Sequence, residues 1–282
     1  MQEALQSFAV SFMSSAVSKT MVSPLERLKV IYQTQNNNKT FQGKESRLSN
    51  HIVQDLRAIV EIEGVRGLFK GNLFLIARYG IQQGVSYVFN FNVFKGMKKE
   101  YGPSGKLATF VNQFMVAGLS GSISFSMFYF LDSTRTMYMT NASSAKALDP
   151  LRKQPLRVFN GFVPGFVANF VYRGLIFSLV EVQNRVFPNA GFAEDTAMTF
   201  FITVLAGTTT YPLDTSRKLM NSRLVLEDRK VGWLKVVRDR YKQAGVLGFY
   251  KGWMVNVFRS ICGSMTLTLY ERTMKALGTK VY

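Results

Sequence analysis

At 282 residues with 47% hydrophobic content and a mean hydropathy of +0.05, the chain has room for two soluble domains or one polytopic membrane unit. Its 35 basic against 17 acidic residues would suit a soluble nucleic-acid binder held by phosphate contacts, but long uncharged runs argue against that class, and no nucleic-acid partner is expected. The single cysteine, Cys262, excludes an intramolecular disulfide and a cysteine-based metal site; the lone His51 has no ligand pattern around it, so neither metal nor cofactor is expected.

Met1 to Ser18 lacks a basic leading region and runs directly into an apolar helix, so no cleavable signal is expected. That first helix is predicted from about Ala4 to Gln33, with Ser11, Ser15 and Lys19 on one face at intervals of four. A charge is costly in lipid, which turns Lys19 toward a watery interior. Near the helix end, Pro24 removes a backbone donor and is expected to kink the helix. Glu26 and Lys29, three residues apart, share a face and can reach a neighbouring helix. Asn36 to Ser49 reads as a loop, and His51 to Ile62 as a surface helix with Ile52, Leu56, Ile59 and Val60 on its apolar side. Glu63-Gly64 and Phe69-Lys70-Gly71 follow, with Gly71 opening a second helix whose polar stripe is Arg78, Gln82, Ser86 and Asn90.

Leu107 to Leu131 is uncharged and longer than the roughly 20 residues a bilayer requires. This third helix carries Gln113, Ser120 and Ser124, with Gly118 and Gly121 permitting close approach of a neighbour. It ends in Phe130-Leu131-Asp132-Ser133-Thr134-Arg135, the earlier pattern with phenylalanine in place of proline. The connection to Gly161 is shorter than its counterparts; it lacks the acid-glycine pair, and Ala142 to Arg157 reads as a compressed basic segment. The fourth helix holds Asn169, Tyr172, Arg173 and Glu181, and the fifth, uncharged from Thr196 to Leu213, ends in Tyr211-Pro212-Leu213-Asp214-Thr215-Ser216-Arg217. Trp233 to Lys242 is another surface helix, with Ala244 where an acid would precede Gly245. Phe249-Tyr250-Lys251-Gly252 opens a sixth helix with Asn256, Arg259, Gly263, Thr266 and Tyr270.

The acid-base pattern occurs three times, and Gly71, Gly161 and Gly252 recur with a period of about 90 residues. The chain therefore reads as one all-α membrane domain of six transmembrane helices in three pseudo-repeats, 1–100, 101–190 and 191–282, around a central cavity with short surface helices. Lys19, Arg78, Arg173 and Arg259 fall in membrane-length segments, which is economical where they meet an anion in a wet cavity. Arg78 and Arg259 each stand seven residues after their glycine and should lie at equal depth, with Arg173 about a turn deeper. Guanidinium groups grip phosphate in a bidentate manner and Tyr172 offers a ring face for a base, which favours a nucleotide over a small carboxylate. No phosphate loop, nucleophile triad or zinc-protease pattern is present, so the protein is expected not to be an enzyme.

Proline, acid two residues on and base five residues on, then acid-glycine and aromatic-base-glycine, resembles the signature of the mitochondrial carrier family over nearly all of the chain. The resemblance implies a multi-pass protein of the mitochondrial inner membrane that moves an anionic metabolite by alternating access. Ser18-Lys19-Thr20 ahead of the first signature is similar to the members that exchange ADP for ATP. By that likeness Lys19, Arg78 and Arg259 would hold phosphates and Tyr172 would lie near adenine. Arg217-Lys218-Leu219-Met220-Asn221-Ser222 departs from the three arginines and three methionines those members carry. In the family the acid of one repeat pairs with the base of the next, implying Glu26 with Arg135, Asp132 with Arg217 and Asp214 with Lys29. Gln33 would brace one pair, and the ring would close the matrix side.

Helix openings at Gly71 and Gly252 present backbone donors suited to cardiolipin phosphate. The family's opposite gate, an aromatic, an acid and a base on the even helices, is eroded: Phe91 and Phe94, Glu181 followed by Asn184, and Tyr270 and Glu271 followed by Met274 occupy it, with Arg185 and Lys275 one residue further on. Three readings follow: an adenine-nucleotide antiporter, a carrier of another anion, and a degenerate carrier kept as a structural subunit of a larger inner-membrane assembly. The intact ring opposite an eroded gate predicts slow exchange, or none, from a form resting closed on the matrix side.

Overall fold

The computed structural model describes residues 2–34, 51–78, 106–140, 155–187, 191–227 and 232–261, and every regular element among them is helical. In chain order these are α1 (Gln2–Gln33), α2 (Ile52–Glu63), the single turn α3 (Val65–Leu68), α4 (72–78), α5 (Lys106–Met127), α6 (Tyr129–Thr140), α7 (Phe162–Val186), α8 (Phe192–Glu227), α9 (Trp233–Ala244) and α10 (253–261). Short 3-10 turns, Pro155–Phe159 and Val246–Tyr250, lead into α7 and α10.

Among the described residues, Pro155–Val186 is long and apolar enough to cross a membrane, and Phe110–Met127 with Tyr129–Thr140 qualifies as a second span bent by 63°. The six expected spans are thus seen only in part. The physical reason lies in the composition of α1 and α8, which run to 32 and 36 residues but whose stretches ahead of Glu26 and Asp214 are rich in serine and threonine. Those hydroxyl side chains dilute the apolar signal. The remainder of the expected second and sixth helices, with Gln82, Ser86, Asn90, Gly263 and Thr266, lies outside the described residues, as do Cys262, the Asn36 to Ser49 loop and most of the connection from Ala142.

The two surface helices dock where sequence periodicity places them. Leu28, Ile31 and Tyr32 of α1 close on Ile59 of α2 and Val255 of α10, with Ile52, Leu56 and Ile62 packed alongside. The α2 apolar stripe therefore faces the end of α1. Leu219 and Met220 of α8 receive Val236 and Trp233 of α9 in the same manner. On the polar side of α9, Arg223 donates to Asp239 at 2.7 Å, and that hydrogen bond holds the Asp239 carboxyl below the usual carboxylate range. Arg240 is buried and donates to the Gly248 carbonyl from two nitrogens, fixing the turn that precedes α10.

Proline does not break α1 or α8, both of which are continuous through Pro24 and Pro212. The break falls in the middle, between α5 and α6, where Phe130 replaces proline. Phe128 and Leu131 there donate to carbonyls three residues back, at 3.2 and 3.1 Å. Tyr129, fully buried, sits against Phe125, Phe159 and Phe162 and donates to the Asn160 carbonyl at 2.6 Å. Tertiary anchoring of that ring fixes the bend.

α5 and α7 approach closely through glycines. A Cβ on Gly118 would meet the Phe170 ring at 2.8 Å, and one on Gly174 would meet Phe114 at 2.7 Å. Phe114 and Phe170 themselves meet edge to face, 5.5 Å between centroids.

Candidate functional site

The ends of α1, α6 and α8 bring their acid-base pairs to one level. Arg135 donates to Glu26 at 2.6 Å, Arg217 pairs with Asp132, and Lys29 stands 3.2 Å from Asp214. Each contact joins two different helices, so the three pairs tie α1, α6 and α8 into a ring. Gln33 reaches Thr215 at 3.1 Å and Asp214 at 3.5 Å, and Lys29 also donates to Asn256 at 2.9 Å. Glu26 and Asp132 are nearly buried. Carboxylates removed from water in this way persist as ions only where bases and donors surround them.

A cavity of about 230 Å³ opens directly onto this ring. Its charged lining comprises six bases, Lys29, Arg78, Arg135, Arg217, Lys218 and Arg259, against three acids, Glu26, Asp132 and Asp214. Tyr172 and Asn169, one turn apart on α7, form part of the opposite wall, and Asn169 holds a buried amide nitrogen with no hydrogen-bond partner. The guanidinium groups of Arg78 and Arg217 each stand 5.5 Å from the Phe125 ring centroid. Lys29 sits 4.9 Å from the Tyr211 centroid on the far side.

Of the five residues expected to hold substrate, Arg78, Tyr172 and Arg259 line this cavity. Both arginines also contact the ring: Arg78 pairs with Asp132, and Arg259 is 3.9 Å from Glu26. Arg173 is placed elsewhere. Its stem lies across α5, where a Cβ on Gly121 would meet it at 2.6 Å, and its guanidinium is 6.0 Å from the Phe177 ring. Lys19 is partly buried on α1, two turns before Glu26 on the same helical face, beyond the residues that line the cavity. The side chains of Ser11 and Ser15 lie outside the described residues.

Gly71, Gly161 and Gly252 all adopt positive φ, at 82°, 78° and 81°. A Cβ on Gly71 would meet Met139 of α6 at 3.0 Å, one on Gly161 would meet the Arg217 carbonyl of α8 at 3.2 Å, and one on Gly252 would meet Tyr32 of α1 at 3.0 Å. Glycine at these helix openings therefore has a packing reason of its own, close approach to the next ring helix.

Lys218 escaped the sequence reading of the ring. It donates to Asp214 at 2.9 Å and to Gln33 at 2.7 Å, and its signal was the four-residue spacing from Asp214. Arg27 was missed too: it grips Glu63 through one nitrogen at 3.0 Å to both oxygens and donates to the Met139 carbonyl. That explains the acid of the acid-glycine pair. At the other end of the molecule Glu181 pairs with Arg185 of its own helix at 2.9 Å. Phe91, Phe94, Tyr270, Glu271, Met274 and Lys275 lie outside the described residues.

The family model described as "Mitochondrial carrier protein" matches residues 2–101 and 188–281, leaving the shortened middle stretch between the two matches. Curated relatives include the ADP,ATP carrier protein of Parachlorella kessleri, 29% identical with 94% of this chain and 83% of the relative covered. That of Kluyveromyces lactis is 28% identical over 98% and 97%, and ADP,ATP carrier protein 3 of Saccharomyces cerevisiae is 27% identical over 98% and 96%.

Proposed function

The chain belongs to the mitochondrial carrier family, and from that premise we propose that it exchanges adenine nucleotides across the mitochondrial inner membrane by alternating access. The observation that carries this reading is the charge of the cavity: six bases against three acids, with an aromatic ring on one wall. Such a surplus attracts an anion of several charges; the guanidinium fork grips phosphate oxygens two at a time, as it does carboxylate oxygens, and the Tyr172 ring beside the arginines is what favours a nucleotide over a small carboxylate. Arg78 and Arg259 would take the phosphates, Tyr172 would stack on the base, and Lys19 would meet the nucleotide further along α1. Arg173, packed across Gly121, serves the helix interface in this form.

The ion-pair ring, in this reading, is the matrix gate, drawn here in its closed form, and the six helices surround the cavity in three repeats. Cardiolipin phosphates would sit at the helix openings of Gly71 and Gly252, where the positive end of the helix dipole favours an anion. Exchange of labelled ADP by protein reconstituted in liposomes tests the reading, with Arg78→Ala and Arg259→Ala expected to abolish uptake. Uptake undiminished in both variants would rule out the pocket.

A second reading, a carrier retained as a structural subunit of a larger membrane assembly, is favoured by one observation. Glu181 is paired within its own helix rather than with a neighbour, so it adds no tie between helices at the end opposite the ring. A bias of about 2.8 kcal/mol between the two access states skews them roughly a hundredfold, and an intact ring facing a weak gate supplies a bias in that direction. Slow ADP exchange together with migration as a large complex on a native gel would support this reading over the first.

A further inference from the structure

The two arginines that stand seven residues after a glycine follow one geometric rule. Arg78, after Gly71, pairs with Asp132, the acid of the next ring helix. Arg259, after Gly252, reaches Glu26, again the acid of the next ring helix in cyclic order. Seven residues after Gly161 the same rule would place a base against Asp214, and the residue there is Ala168, nearly buried and lining the cavity. Asp214 is nevertheless supplied with bases from its own helix: Arg217, which also serves Asp132, donates to it at 3.0 Å. Lys218, 8% exposed, reaches it at 2.9 Å from one turn further along the same helix and is itself held by Gln33 at 2.7 Å.

We propose that Lys218 is a positioning residue that replaces the arginine missing at position 168, and that it makes the ring release asymmetrically. This rests on the reading that an anion enters the cavity. Such an anion competes with Asp132 and Glu26 for Arg78 and Arg259, so cargo loosens two of the three ring junctions. Lys218 rides on the helix of Asp214, and that pair survives any separation of the helices. When the ring helices part, Asp214 loses Lys29 but keeps Lys218 and Arg217 on its own helix, whereas Glu26 loses Arg135, Asp132 loses Arg217, and each is left with the arginine that the cargo draws away.

The experiment is thermal unfolding of the full chain in mild detergent, without nucleotide, for Lys218→Met, Lys218→Arg, Ala168→Arg and the Ala168→Arg/Lys218→Met pair. Lys218→Met should lower the midpoint by about 3 °C or more, Lys218→Arg should hold it, and Ala168→Arg should restore at least half of the loss in the Lys218→Met background. Lys218→Met should also cost less in an Asp214→Asn background than in the parent, a comparison that stands even where the single variant folds poorly. Failure of Ala168→Arg to rescue, or an equal loss in both backgrounds, would overturn the proposal. Because these arms contain no nucleotide, their failure is separate from failure of the substrate reading, which would show as no midpoint shift of the parent on adding ADP.

Discussion

In α1 and α8 a proline stands two residues before the ring acid and the helix runs through it, whereas in the middle Phe130 holds that place and the chain breaks at Phe128 with a 63° bend. Each of the three nevertheless brings its acid to the same ring. The residue just before the proline position is instructive. In the middle it is Tyr129, bonded to the Asn160 carbonyl; in α8 it is Tyr211, bonded to the Lys251 carbonyl at 2.9 Å and stacked on Tyr250. Both carbonyls belong to the residue preceding the positive-φ glycine. In α1 the place is taken by Ser23, whose buried hydroxyl has no partner, and the corner is held instead by Arg27 on Glu63. Three corners of like geometry are thus fixed by different chemistry, and anchoring to the glycine turn matters more than proline.

The largest effect should come from the acid most deeply committed on the middle side. Asp132 serves both Arg217 and Arg78 and is 5% exposed. Asp132→Asn leaves two nearly buried guanidinium groups short of a carboxylate, a loss of about 3–5 kcal/mol by the usual cost of breaking a buried pair. Denaturant or thermal unfolding in detergent measures it. An effect no greater than that of an exposed pair, such as Glu181→Gln against Arg185, would show that the ring does not hold the helices together.

Next in size is the glycine comparison. Gly161→Ala forces a Cβ toward the backbone carbonyl of Arg217 as well as into a strained φ, whereas Gly71→Ala meets the flexible Met139 side chain. Left-handed backbone alone costs about 1–2 kcal/mol, and Gly161→Ala should exceed Gly71→Ala because the carbonyl cannot swing aside. Equal unfolding midpoints would mean that α8 shifts freely relative to the middle turn.

The ring pairs, the glycine period and both surface helices were legible in the sequence because each rests on spacing: three residues between acid and base, about 90 between glycines, a helical stripe on α2 and α9. What escaped depends on the folded path. Lys218 hid in a charged run and Arg27 looked like helix-end decoration, while the pairing of Glu26 with Arg135, across 109 residues, was expected from family likeness and not from spacing. For Arg173, helical spacing gives a face but not which neighbour covers it; its stem packs against Gly121. The break between α5 and α6 was not legible for the same reason: local chemistry permits a bend, and packing decides where it falls.

A smaller effect separates the two tyrosines from the serine. Tyr129→Phe and Tyr211→Phe each delete one buried hydrogen bond and leave a carbonyl unpaired, worth about 1–2 kcal/mol apiece. If the two residues anchor equivalent corners, the losses should match within a few tenths. A large Tyr129 effect beside a negligible Tyr211 effect would mean that the middle corner alone depends on the anchor, consistent with its broken helix.

The smallest effect is predicted for Phe130→Pro, which restores the residue that the other two ring helices carry. Inside a straight helix a new proline costs about 3 kcal/mol, because it loses a hydrogen bond and strikes the carbonyl four residues back. Here α6 begins at Tyr129, so position 130 lies in the first turn, where the N–H has no helical partner and the φ of proline is already suited. Proline disfavours helical backbone in the residue before it, yet Ser23 and Tyr211 are helical ahead of Pro24 and Pro212 in this same chain. The carbonyl of Phe130, which accepts from Thr134 at 2.7 Å, is retained, and the side chain removed is already half exposed. Unfolding free energies of Phe130→Pro and the parent should agree to within about 1 kcal/mol; a loss near the full interior cost would mean that the bend in the middle and the proline positions of α1 and α8 are different devices.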